Sequence, residues 1–230
     1  RVAAATDSGD PLILDDVPQP LQPVRPRTPE EQDRVDAIAL FAAGRVLEHK
    51  ERYAEALQNY QRALRLDPQA GEVARAILPV AVVLKRPAVA NRYAMQMKSE
   101  DLQSVHPWLV QELADRLDKQ GEWAEAARLY EAVVAGRDGG KETEIDVRLR
   151  MSLGRLYYIL EQYDKAADNF SVVLRALEHP EQFGLDEHWK KRLLGTDGAT
   201  YNLFGECFLL ADRFDPATSA FRNAHKIAKD

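Results

Sequence analysis

Small residues and rings recur along this chain at fixed offsets. Around Ala56 stand Gly44 twelve positions before, Leu47 nine before, Tyr60 four after, Ala63 seven after and Pro68 twelve after. The same offsets find Ala114, Leu117, Tyr130 and Val133 around Ala126, and Gly154, Tyr157, Phe170 and Val173 around Ala166. Around Ala217 they find Gly205, Phe208, Phe221 and Ala224. A pattern that returns in register marks one supersecondary unit copied along the chain. Each copy predicts a first helix with a glycine or alanine where its partner approaches. The second helix then carries a matching alanine, and a ring that fills the space between pairs and buries roughly 150 to 250 Å². No copy could bury its apolar face alone, so the copies must stack.

The spacings between copies are uneven, and each irregularity predicts a feature. Ala56 and Ala126 lie 70 residues apart, two periods, which places a degenerate copy at about 71–104 with Leu78, Ala81, Ala90, Ala94 and Met97 at the expected offsets. Pro79 should kink its first helix and Pro87 should open its second, giving two irregularly packed helices. Ala126 to Ala166 is 40 residues and Ala166 to Ala217 is 51, so insertions fall at about 136–144 and 178–196. The first, with Gly136-Arg137-Asp138-Gly139-Gly140-Lys141, reads as a flexible turn. The second is expected to hold a short helix over Asp186–Leu194 carrying Trp189. Insertions in repeats often collect on the binding face.

These residues resemble the tetratricopeptide repeat family, a 34-residue helix-turn-helix with Leu-Gly, an aromatic, then Ala, Phe or Tyr, and Pro. The first copy matches best, through Tyr53-Ala54-Glu55-Ala56-Leu57 and Ala63-Leu64-Arg65-Leu66-Asp67-Pro68. The resemblance covers about residues 37–230, with copies at 37–70, 71–104, 107–140, 147–180 and 198–230. It implies an all-α, right-handed superhelical solenoid of antiparallel helix pairs. It also implies an interaction scaffold, a subunit or adaptor of a larger assembly, that holds a protein or peptide partner and is not an enzyme.

In that family the first helices line the concave face on which partner peptides often lie. On this sequence the resemblance assigns Phe41, Arg45 and Glu48 to that face in the first copy and Arg75 in the second. The third supplies Trp108, Gln111, Asp115 and Asp118, the fourth Arg148, Met151, Arg155 and Tyr158, and the fifth Asn202 and Glu206. One subclass grips a peptide carboxylate with lysine, arginine and asparagine. Phe41, Arg45, Ala76, Trp108 and Glu112 stand at those positions here, so that clamp is absent. Arg148 and Arg155, seven residues apart on one helix face, would pair with an acidic segment.

The first 30 residues read differently. Pro11, Pro18, Pro20, Pro23, Pro26 and Pro29 forbid a helix and favour an extended path. At Thr28-Pro29-Glu30-Glu31 a capping box opens the folded domain, 31–230. An arm of this composition cannot offset the entropy of ordering by itself, so Leu12, Ile13, Leu14, Val17, Leu21 and Val24 are expected to dock on the solenoid or on a neighbouring subunit. Exchange of the arm between copies would make the protein a self-associating structural element. The chain starts at Arg1 in place of a methionine, which predicts a removed native start. Its last helix lacks a polar cap, which predicts more chain or a packed partner.

Composition narrows the chemistry. With 230 residues and 45% hydrophobic content, the chain can bury a core without disulfide or metal. A net charge of -6, with Lys and Arg dispersed, argues against nucleic acid. The longest apolar run, Ala76 to Leu84, is far short of the ~20 residues that cross a bilayer. The single cysteine, Cys207, has no intrachain partner and reads as a buried structural thiol, and the compartment stays open.

Gly136 to Thr143 lacks the Gly-Lys-Ser/Thr ending of a phosphate loop. In the second insertion His179 and His188 stand among Glu178, Glu181, Asp186 and Glu187 and would give a metal-dependent or hydrolytic enzyme its ligands. The simpler assignment is a helix exit at His179-Pro180 and a solvated helix at Glu187-His188-Trp189, with no metal or cofactor. His106-Pro107 marks a helix start. Paired carboxylates such as Asp115 and Asp118 read as solvated helix faces.

Overall fold

A computed structural model describes residues 25–137, 142–194 and 198–228. Leu12, Ile13, Leu14, Val17, Leu21 and Val24 of the arm lie outside the described residues, as does part of the Gly136–Lys141 turn. The described residues are all-α, and no strand occurs among them. α1 (Pro29–His49) packs against α2 (Tyr53–Leu66), and α3 (Gly71–Val83) against α4 (Pro87–Gln96). After the short α5 (Ser99–Gln103), α6 (Pro107–Gln120) packs on α7 (Trp123–Ala135), and α8 (Glu144–Ile159) on α9 (Tyr163–Glu178). α10 (Pro180–Phe183) and α11 (Glu187–Leu194) precede the last pair, α12 (Ala199–Leu210) and α13 (Phe214–Ile227). Pairs stack because α2 also rests on α3, α7 on α8 and α9 on α12, which makes a solenoid of helix pairs.

Local chemistry sets the helix starts. Thr28 Oγ accepts from the Glu31 N–H at 3.2 Å, and the Glu31 carboxylate accepts from the Thr28 N–H at 3.0 Å, with Pro29 in the first turn. Thr143 and Asp146 form the same reciprocal box at α8. His106 Nδ1 accepts from the Trp108 N–H at 3.3 Å at the head of α6.

One turn closes every pair. Glu51, Lys85, Gly121, Glu161 and Asp212 all have φ between 56° and 82°, in the left-handed region. The next N–H reaches back five residues in each case: Arg52 to Leu47 O at 2.9 Å, Arg86 to Ala81 O at 2.8 Å, Glu122 to Leu117 O at 3.0 Å. Gln162 to Tyr157 O at 2.9 Å and Arg213 to Phe208 O at 2.7 Å complete the set. These bonds satisfy carbonyls that the helix end would leave orphaned. The second copy, degenerate in side chains, keeps the backbone turn intact.

Close helix approach follows from the small residues. Ala56, Ala114, Ala126, Ala166 and Ala217 are buried. A Cβ built on Gly44, Gly154 or Gly205 would stand 2.4 to 2.6 Å from a ring carbon of Tyr60, Phe170 or Phe221. The glycine is therefore the contact surface for the ring. Two clusters make up the core and meet across α3, where Val73, Ile77 and Val80 serve the first and Ala74, Leu78 and Ala81 the second.

The irregular segments differ from expectation in two ways, in the number of helices at 71–104 and in the burial of Trp189. Residues 71–104 hold three helices, because α5 inserts after α4 and packs on α3 and α7, burying Leu102. Arg128 of α7 donates to Met95 O at 2.5 Å and to Met97 O, which ties the end of α4 to the third copy. α3 runs on through Pro79, which sits on its exposed side. In the second insertion the solvated reading of Trp189 fails: its indole is buried, and Asp186 Oδ1 caps the helix by accepting from the Trp189 N–H at 2.6 Å.

Candidate partner-binding face

Side chains assigned to the groove all come from the first helices α1, α3, α6, α8 and α12. Two contacts join such side chains from successive copies. Arg155 of α8 makes an ion pair with Asp118 of α6, and Tyr158 of α8 places its hydroxyl 3.4 Å from Glu206 Oε2 of α12. Burial, and then the Glu206 charge, push the Tyr158 phenol up from its ordinary range. Tyr158 also meets Tyr163 edge to face, with ring centroids 5.8 Å apart. The first helices of copies three, four and five thus present one shared face.

The remaining side chains divide by what they touch. Trp108 is 62% exposed, the large apolar side chain of this set that faces water. Asp115 accepts from the Tyr130 hydroxyl, and Gln111 is half-buried beside it on α6. Arg148 and Asn202 are exposed, and Met151 is half-buried against the core. Phe41 lies against Tyr60 at 5.6 Å between centroids, while Arg45 pairs with Glu48 at 2.9 Å and Glu48 accepts from the Tyr60 hydroxyl at 2.5 Å. Arg75 is turned to the copy junction, 3.5 Å from Asp101 of α5 and 3.8 Å from Glu72.

Arg148 and Arg155 differ in availability. Arg155 is held by Asp118, whereas Arg148 makes no ion pair among the described residues. The face is acidic on α6, basic on α8 and acidic again at Glu206, with Trp108 and Tyr158 supplying rings. Exposed Trp, Tyr and Arg are the side chains on which protein partners most often anchor.

His179 Nδ1 lies 3.8 Å from Glu181 Oε1, both exposed, and His188 is exposed on α11. Among the described residues no group of three His, Cys, Asp or Glu side chains could hold a metal ion. Cys207 is fully buried with Sγ 3.8 Å from Tyr163 O, and burial pushes its thiol up to about 11. At the first insertion Arg175 pairs with Glu142 at 2.6 Å, and Arg137 with Asp146. No described helix is long and apolar enough to cross a membrane.

Tetratricopeptide repeat models match residues 37–70 and 112–178. The chain carries tetratricopeptide repeats over these residues. The second match runs through α6, α7, α8 and α9, where the Asp118–Arg155 link lies. Among solved structures, this tetratricopeptide repeat chain is similar to YrrB, described as a TPR protein with an unusual peptide-binding site. There the identity is 19%, coverage is 87% of this chain and 90% of that one, and the TM-score is 0.43. It is also similar to BtubC (BKLC) from P. vanneervenii, at 16% identity, 86% coverage of each chain and TM-score 0.44. A MamA fragment from Desulfovibrio magneticus RS-1 is 15% identical, with 84% of this chain and 96% of that one covered and TM-score 0.37. No curated protein matches the chain.

Three elements of this region were not visible in the sequence. The links Asp118–Arg155 and Tyr158–Glu206 cross 37 and 48 residues, and the insertions break the constant offset that would have paired them. Arg128 sits at an unremarkable helical position in the sequence, yet holds the α4 end.

Proposed function

We propose that the chain is a non-enzymatic scaffold that holds an extended segment of a partner protein along its first-helix face, as a subunit or adaptor of a larger assembly. The observation that supports this is the pair of side-chain links that fuses α6, α8 and α12 into one wall. Trp108 and Tyr158 offer rings to apolar side chains of the segment, and Arg148 offers a guanidinium to a carboxylate. The flanking acids Asp115 and Glu206 favour cationic side chains to either side. Arg45 and Arg75, engaged by Glu48 and by Asp101, position their own copies and contribute at the margin.

Selection of peptides from a displayed library on the intact chain tests the reading. Arg148→Ala and Tyr158→Ala should each weaken the selected peptide by about tenfold or more, the ~1.4 kcal/mol of a modest hot spot. Asp215→Ala, on an exposed position of α13, should leave affinity unchanged. Equal affinity for all three variants would remove the first-helix face from the account.

A further inference from the structure

The second helix of the second copy ends early, and the gap it leaves is a cleft. α2 runs to Leu66, ten residues past Ala56, and α9 runs to Glu178, twelve past Ala166, whereas α4 stops at Gln96, six past Ala90. Met97 is then extended, with φ -75° and ψ 149°, and α5 departs to pack on α3 and α7. The last turn of α2 therefore overhangs the end of α4. A cleft of about 540 Å³ opens there between α2, the first turn of α3, α4 and the start of α5, within the roughly 300 to 1,000 Å³ of ligand sites. None of the side chains assigned to the first-helix face lines it.

Its charge is one-sided. Arg65 of α2, Arg92 of α4 and Lys98 just before α5 line it, all exposed, and none of the three has a carboxylate partner among the described residues. Arg92 lies over the Tyr93 ring, 5.0 Å from its centroid. Register explains why Arg92 is free. Arg128, two residues past Ala126 as Arg92 is two past Ala90, donates to the carbonyls of Met95 and Met97, which the early end of α4 leaves open. α2 continues past the corresponding carbonyls and bonds them within the helix, so Arg92 finds no such acceptor. Asp101, the one carboxylate among the lining residues, is already engaged. Its Oδ1 lies 3.5 Å from Arg75 Nη1 and would stand 2.6 Å from a Cβ on Gly71, against the first turn of α3, where no side chain caps the helix. Leu64 and Tyr93, both half-buried, add apolar wall.

We propose that this cleft takes an acidic segment of a partner protein, with its carboxylates on Arg65, Arg92 and Lys98 and an apolar side chain against Leu64 and Tyr93. Three cations carried by three separate elements fit carboxylates spread along a segment, whereas a single small anion would need them to converge on one point. On a chain of net charge -6, a cleft with three free cations and no free acid is also a place to which an acidic segment is drawn instead of repelled. The site is independent of what the first-helix face holds.

Peptide selection from a displayed library on the full chain tests the inference, with Arg148→Ala in place so that the first-helix face offers no free guanidinium. The selection should enrich peptides rich in Asp and Glu, bound more weakly as sodium chloride rises. Arg65→Glu with Arg92→Glu should weaken the selected peptide by about tenfold or more. Lys98→Glu alone should weaken it by about threefold. Arg222→Glu with Lys226→Glu, the same change of net charge at exposed positions of α13, should leave affinity within about twofold. No enrichment of acidic peptides, affinity unmoved by reversal at Arg65 and Arg92, or equal loss from reversal at Arg222 and Lys226 would each overturn the proposal. Stronger displacement by inorganic phosphate than by sodium chloride of equal ionic strength would overturn it too, by assigning the cleft to a small anion.

Discussion

Replacing Gly154 by alanine isolates the contact on which helix pairing depends. The added Cβ would stand 2.6 Å from Phe170 Cε1, 2.7 Å from Cδ1 and 3.2 Å from Cζ, against ordinary carbon contacts of about 3.5 to 4.0 Å. Relief requires a shift of about 1 Å. The ring has little room to give, since Phe170 is fully buried and lies 4.7 Å, centroid to centroid, from Phe204 of the next copy. Overpacking of this kind costs about 1 to 3 kcal/mol, while alanine returns up to about 1 kcal/mol of helix propensity. A net loss of about 1 to 2 kcal/mol should follow in urea titrations, seen as a lower midpoint at unchanged slope. In a Phe170→Leu background the obstruction is gone, and the same substitution should become neutral or stabilising. Stabilisation by Gly154→Ala in both backgrounds would refute the packing argument.

Two further outcomes follow from the turns and caps. Glu161→Gly should stabilise by about 0.5 to 1 kcal/mol, because a left-handed backbone costs a side-chain-bearing residue more than glycine's extra freedom costs on folding, whereas Gly121→Ala at the equivalent turn should destabilise by about 1 kcal/mol. Urea midpoints read both, and a loss with Glu161→Gly would contradict the shared turn. Burial opposes ionisation of Asp146, but hydrogen bonds from Arg137 and from the side chain and backbone of Thr143 outweigh it and hold the carboxyl at about 2. Its folded value lies below the unfolded value of about 3.9, so its contribution is present above that pH and is lost as pH falls toward 2. Asp146→Asn should flatten the stability–pH curve between pH 4 and 2, and an unchanged acid limb would exclude Asp146 as its source.

Legibility in the sequence tracked how narrowly a position constrains its residue type. Gly154, Ala166 and Phe170 could be read because close approach admits few alternatives. The left-handed turn could not, since Glu51, Lys85, Glu161 and Asp212 occupy it and only Gly121 advertises the backbone. α5 was hidden because its five residues lie in a stretch that the period assigned to the tail of the second copy. For the candidate face, register placed the side chains on the first helices, but which of them meet depends on how adjacent copies pack. That is why Arg155, expected to await an acidic segment, is paired with Asp118, and Arg75 with Asp101. Trp189 read as solvated because charged residues flank it in the sequence, yet it belongs to the buried core.

On the proposed function, α6, α8 and α12 hold one partner segment together. A photoreactive side chain introduced at Trp108, at Asn202 or at Arg222, each irradiated with the library-selected peptide, tests it most directly. The account predicts adducts from positions 108 and 202 that map to opposite ends of the same peptide, and none from position 222 on α13. Adducts from position 222 with none from the other two would contradict it.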